Sequence, residues 1–299
     1  MAPRFGPSAQ ARAFLADPAN RDERDYDPEA LLTWRAEARA EADAQAGMRA
    51  ARHGVDLAWR DVAGVRALVI TPRGGGAGQL LYLFGGAFIM GGPLEDLMIS
   101  AALAAGTGMQ VISPAYRLAP EAPFPAGLED AVAVARAVRP RAVAGESAGG
   151  NLALGVARDL VNANHAPRAL ALLSPAADMS PGFDPREAPD DPTLRIRMIE
   201  AMPGIYAPGT DPSDPRLSPL YGCFGPGWPA TLITTGTRDR FLGPCSQLAR
   251  AMREGGATAD LRVWDGMWHV FEYYEGIPEA AASLTEIAHF LQSAVCGER

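Results

Sequence analysis

Apolar residues along this chain gather into short runs, each closed by Gly, Pro or Ser, at residues 80–84, 109–113, 142–145, 169–174, 231–235 and 260–264. Such runs read as strands buried on both faces, since a half-buried strand would alternate apolar with polar positions. Between most of them lie segments of helical period, at 95–106, 127–138, 151–162, 244–254 and 278–295. Strand and helix in alternation predict a doubly wound α/β domain: a mostly parallel central sheet covered by helices on both faces.

Two stretches fall outside that rhythm. Ahead of it, residues 28–52 favour a helix that Asp27 is placed to cap. Residues 55–60 and 65–71, separated by Val62-Ala63-Gly64, read as an antiparallel pair, followed by a linker-like Gly74-Gly75-Gly76-Ala77-Gly78. Later, residues 178–227 are rich in Pro, Asp and Gly and hold one helix-like segment, 193–202. That is too long for an ordinary connection and predicts a lid inserted over the carboxyl edge of the sheet.

Composition narrows the function classes. A chain of 299 residues can bury a large core without staples. Its cysteines, Cys223, Cys245 and Cys296, are odd in number and far apart, which fits a reducing compartment and suggests neither a disulfide framework nor a zinc ribbon. Residues 1–12 lack a long apolar segment and no stretch reaches bilayer length, so the expected location is cytoplasmic, with no membrane span. The net charge of −8, spread along the chain, argues against a nucleic-acid partner. All 27 basic residues are arginine, which excludes Schiff-base lysine chemistry and a phosphate-loop lysine.

The candidate chemistry sits at Gly145-Glu146-Ser147-Ala148-Gly149-Gly150, between an apolar run and a helix. A serine flanked by small residues on a strand-to-helix turn can be held at a strained angle with its hydroxyl exposed. Acyl transfer then needs a base, an orienting acid and oxyanion donors. Of four histidines, His53 precedes the serine, His165 falls in a loop and His289 lies within the last helical segment. His269, after the final strand, can reach over the sheet edge as the base. Asp239, at the end of the strand 231–235, is the favoured acid, and Asp178, after the preceding strand, is its competitor. Ala148 and the loop Phe84-Gly85-Gly86-Ala87-Phe88 would supply oxyanion amides, with Gly85 and Gly86 the expected donors. Trp228, Phe224, Tyr206 and Tyr221 either line an apolar substrate site or pack the lid on the core.

The chain resembles the hormone-sensitive-lipase-like family of α/β-hydrolase carboxylesterases. The resemblance rests on the Ser147 motif, on Tyr116-Arg117-Leu118-Ala119-Pro120-Glu121 with Phe124-Pro125-Ala126, on Asp211-Pro212-Ser213-Asp214-Pro215-Arg216-Leu217-Ser218-Pro219-Leu220, and on Gly266-Met267-Trp268-His269-Val270-Phe271. It implies an α/β-hydrolase fold with a helical cap formed by residues 1–52 and 179–227, the core comprising 53–178 and 228–299. It further implies a Ser147-Asp239-His269 triad, no cofactor, and hydrolysis of short to medium acyl esters. One departure stands out: Phe84 occupies the family's histidine position in the oxyanion loop and Ala87 that of its third glycine. A modified hole is therefore expected.

The leading expectation is a serine carboxylesterase acting on a small-molecule ester through an acyl-enzyme on Ser147. Alternatives are lactone, carbamate or activated-amide hydrolysis on the same triad, or a non-catalytic ligand-binding protein on a hydrolase scaffold. The edge strand of such a sheet often pairs, which leaves a homodimer open.

Overall fold

Apolar runs with no polar alternation need cover on both faces, and the chain provides it. The computed structural model describes residues 6–21, 26–76, 78–187 and 190–297. Residues 1–5 and 22–25 of the first expected cap segment, 188 and 189 of the second, and Ala77 of the glycine-rich linker lie outside them. The strands are β1 (Val55–Val62), β2 (Val65–Pro72), β3 (Gln79–Leu83), β4 (Gln110–Pro114), β5 (Ala142–Glu146), β6 (Ala169–Leu173), β7 (Ala230–Gly236) and β8 (Ala259–Trp264). They form one eight-stranded sheet in the order β1-β2-β4-β3-β5-β6-β7-β8.

The first two strands pair antiparallel, with Val62 opposite Val65. Ala63 at φ 55° and Gly64 at φ 81° make their two-residue turn, the left-handed geometry that matches the twist of a tight hairpin. Strand β2 is also antiparallel to β4, and every pairing from β4 through β8 is parallel.

The main helices are α2 (Pro28–His53), α3 (Leu97–Thr107), α4 (Ala126–Val138), α5 (Ser147–Asn162), α7 (Leu242–Glu254) and α8 (Pro278–Cys296). Crossing from β3 to β4 moves one way along the sheet and every later crossover moves the other way. Right-handed crossovers therefore place α3 on one face and α4, α5 and α7 on the opposite one. Helix α8 packs on α3, and α4 on α5. Asp27 caps α2 by accepting the Glu29 amide at 2.9 Å.

Three elements differ from the sequence reading. Helix α5 begins at Ser147 itself, not at 151, because the small residues of the elbow are already helical. The helix of the inserted segment, α6 (Ile196–Tyr206), starts later than 193, since the Asp191 carboxylate takes the Thr193 and Leu194 amides and holds them in a turn. Helix α1 (Ala9–Ala16) was not anticipated. At eight residues it is too short to show a period, and its support is tertiary: Phe14 stacks on Trp268 with ring centroids 4.2 Å apart, and Glu279 accepts from Ser8.

Backbones meet closely where the sheet hands over to α5. A Cβ on Gly149 would stand 2.0 Å from the Leu83 carbonyl oxygen and 2.3 Å from that of Phe84. Those atoms belong to the sheet edge and cannot swing aside. Gly149→Ala should cost ~3 kcal/mol or more, which a thermal melt would read as a Tm lowered by roughly 6–12 °C.

Candidate active site

Ser147 sits between β5 and the first turn of α5 at φ 51°, left-handed for a residue with a side chain. The strain is tolerated because its neighbours lack bulk: a Cβ on Gly145 would meet the Gly149 carbonyl oxygen at 2.3 Å, and one on Gly150 would meet Pro175 at 2.9 Å. The serine hydroxyl thus projects from the carboxyl edge of the sheet, with the amino end of α5 behind it.

The structure brings Ser147, His269 and Asp239 together. His269 Nε2 lies 2.9 Å from Ser147 Oγ, and His269 Nδ1 lies 3.1 Å from Asp239 Oδ1. Asp239 is fully buried and accepts from the Phe241 amide and the Thr235 hydroxyl, both at 2.8 Å. Burial would raise its pKa, but the His269 charge and these hydrogen bonds, with one from Ser174, hold it below the usual carboxylate range. Burial would likewise pull the His269 imidazolium down, yet Asp239, Asp191 and Glu272 leave its pKa above 6.5. An ionised acid on Nδ1 fixes the tautomer and leaves Nε2 free to take a proton from the serine.

The other candidates lie elsewhere. Asp178 faces the lid side, where its carboxylate accepts the Ser180 amide at 2.8 Å. His165 and His289 are exposed. Sequence reasoning missed Asp191, a buried carboxylate in the lid that accepts the backbone amide of His269 at 2.9 Å and so anchors that loop. Its place among several Pro-flanked aspartates gave no signal.

Of the expected oxyanion donors, Gly85 lies against the buried Glu146 carboxyl, which takes a hydrogen bond from its amide and with which a Gly85 Cβ would collide at 1.9 Å. Gly86 at φ 105° and Ala87 at φ 55° hold left-handed backbone, Gly86 and Ala87 line the same cavity as Ser147, and the amides of Gly86, Ala87 and Ala148 show no acceptor among the described residues. Two cavities meet at the serine, one of about 380 Å³ under the lid and one of about 330 Å³ beside the His269 loop. The lid aromatics singled out from sequence line neither. Phe224 and Trp228 pack edge-to-face on each other, Tyr206 stacks on Phe88, and Tyr221 bonds Ser180.

Comparison with known proteins agrees with this geometry. Residues 80–273 match a family model described as the alpha/beta hydrolase fold. An acetyl-hydrolase from Streptomyces hygroscopicus is 32% identical over 231 residues, covering 72% of this chain and 75% of that protein. An esterase from Acinetobacter venetianus is 30% identical over 249 residues, covering 78% and 80%. The chain belongs to the hormone-sensitive-lipase-like α/β-hydrolases. Among solved structures, esterase LipW from Mycobacterium marinum superposes with a TM-score of 0.85 at 27% identity, covering 96% of each chain. A hormone-sensitive-lipase homologue from a metagenome library, EstE7, gives 0.74 at 30% identity, covering 91% of this chain and all of the other.

Within this family member the motifs have mechanical roles. Phe84, in the histidine position, stacks on Tyr116 at 4.2 Å, and the Tyr116 hydroxyl donates to the Phe84 carbonyl at 2.6 Å. The loop after β3 is thus buttressed by ring packing. Arg35 of α2 reaches the Ile89 carbonyl at 2.6 Å and also bonds Ala119 and Glu121, tying the amino-terminal helix to the same loop. Asn151 of α5 donates to the Ala176 and Leu217 carbonyls at 2.8 Å, which fastens both flanks of the inserted segment to this helix, and Ser218 accepts the Met179 amide at 2.8 Å, which joins the segment's two ends to each other.

A ring that takes a proton from Ser147 must start neutral, so kcat/KM for an ester should fall as pH drops, with a midpoint displaced upward from that of an ordinary imidazole. The Asp191 carboxylate favours the imidazolium, so Asp191→Asn should move that midpoint to lower pH. A pH–rate profile in which the midpoint stays put or rises would contradict this assignment.

Proposed function

We propose that this protein is a serine carboxylesterase in which Ser147 is the nucleophile, His269 the general base and acid, and Asp239 the acid that orients His269. The observation that carries the reading is the unbroken relay from Ser147 Oγ through the His269 ring to the buried Asp239. Ser147 Oγ attacks the ester carbonyl as its proton passes to His269 Nε2. The amides of Gly86, Ala87 and Ala148 take the developing oxyanion, a term worth ~3–4 kcal/mol per donor. His269 then gives the proton to the departing alcohol, leaving the acyl group on Ser147. Water, deprotonated by the same ring, releases the acid. The relatives named esterase and acetyl-hydrolase support this chemistry.

Substrate length follows from the cavity under the lid. Its walls include Met179, Phe183, Met198, Ile199, Met202 and Phe241, an apolar surface around about 380 Å³. That space suits an uncharged acyl chain of short to medium length. The cap assignment of residues 1–52 and 179–227 belongs to the same proposal, because the second segment supplies most of those walls.

With p-nitrophenyl esters, turnover of butyrate and hexanoate should exceed that of hexadecanoate. Ser147→Ala should lower kcat by roughly 10⁴–10⁶-fold, and an organophosphonate should label the parent at Ser147 and spare the variant. Equal turnover by parent and variant would sink the reading.

A further inference from the structure

The turn that leaves β6 touches every part of the relay. Ala176 donates its amide to the Ser147 carbonyl at 3.0 Å, Pro175 packs against Gly150, and Ser174 reaches the acid and the loop of the base. Ser174 is fully buried, and its amide still pairs with the Thr234 carbonyl of β7 at 2.8 Å, so the sheet fixes where its side chain starts. Its Oγ accepts the Val270 amide at 3.1 Å, one residue past His269. A hydroxyl that has accepted from an amide still has its own hydrogen to place, and a buried hydrogen needs an acceptor. The Asp239 carboxylate takes it. We propose that Ser174 is a positioning residue for the reaction, its hydroxyl tying the loop of the base to the carboxylate that orients it. The proposal rests on the esterase reading above and adds a residue away from the substrate, since Ser174 lines neither of the cavities at Ser147.

Two backbone angles show what this hydroxyl restrains. Val270 stands at φ 46° although it is branched at Cβ, and Ser174 itself stands at φ 46°. Left-handed backbone is costly for any residue with a side chain and most of all for a branched one. Relaxation at Val270 would turn the peptide that carries His269, and two side chains oppose it: Asp191 on the His269 amide at 2.9 Å, and Ser174 on the amide that follows. They differ in what they join. Asp191 ties the loop to the inserted segment, whereas Ser174 ties it to Asp239. Thr235 donates to the same carboxylate at 2.8 Å but belongs to the strand that carries the acid, so it cannot make that link. Glycine would satisfy the backbone at position 174 without strain, so what the serine contributes there is its hydroxyl. The electrostatics agree: burial raises the Asp239 carboxyl, His269 does most to lower it, and the Ser174 bond adds to that lowering.

The test uses Ser174→Ala and Ser174→Gly. Both remove the hydroxyl, and only glycine also removes the strain at φ 46°. With p-nitrophenyl butyrate and rates expressed per folded protein, kcat should fall about ten- to a hundredfold in both variants while KM stays within about twofold, because what is lost is aim and not binding. The low-field proton resonance of His269 Nδ1–H, read by NMR with the ring protonated, should move upfield or broaden in both as the bond to Asp239 loosens. Three results would overturn the role: a kcat kept within about threefold of the parent in either variant, a loss carried by KM alone, or an unchanged Nδ1–H resonance. A parent that turns over no ester would instead remove the esterase reading, and the resonance would still report whether Ser174 joins Asp239 to the His269 loop.

Discussion

The structure turns on how closely three pieces of backbone approach one another beneath Ser147. The carbonyls that end β3, the last residues of β5 and the first turn of α5 pack so tightly that Gly145, Gly149 and Gly150 have no room for a methyl group. That crowding holds Ser147 left-handed and fixes its hydroxyl above the sheet edge. It also sets the Ala148 amide beside the loop that follows β3. A looser junction would let the serine relax toward ordinary helical angles and lose its aim, and strain of this kind persists only where the surroundings over-determine it.

Around that fixed point the fold buries an unusual number of acids, and their neighbours decide which carry charge. Asp239 has the His269 ring, a backbone amide and hydroxyl donors, and it stays ionised. Glu146 lies in the same core with one amide donor and two acidic neighbours, and burial drives it toward the neutral form. Glu272 accepts from Thr234 and Ser283 and is raised too. Asp239 is thus the carboxylate bonded to the imidazole ring, while Asp191, on the His269 backbone amide, and Glu272 act on the ring's charge from farther off.

The remaining motifs act through position rather than reactivity. Tyr116 props the loop after β3 through Phe84, Arg35 ties α2 to that loop, Asn151 fastens Leu217 to α5, and Ser218 joins the two ends of the inserted segment through Met179. Phe84 is instructive in this respect. A ring replaces an imidazole, yet packing against Tyr116 and the close pass of Gly91 keep the loop in place. The lid is therefore coupled to the nucleophile by short hydrogen bonds that run through α5, and not only by apolar contact.

Much of this was written in local sequence. Unbroken apolar runs marked the strands, helical spacing marked α4, α5 and α8, and Asp27 marked the start of α2, because each depends on residues a few positions apart. Small residues around Ser147 and the order serine, aspartate, histidine pointed to the elements that meet at the site. What sequence could not settle depends on groups far apart in the chain. Asp191 anchors His269 across 78 residues, Gly85 is claimed by a carboxylate 61 positions later, and α1 exists because Trp268 offers Phe14 a ring to stack on. An amide looks the same in sequence whether it faces a substrate or a buried acid. Only the folded chain decides which partner it meets, since burial and direction are properties of the packed neighbours and not of the residue itself.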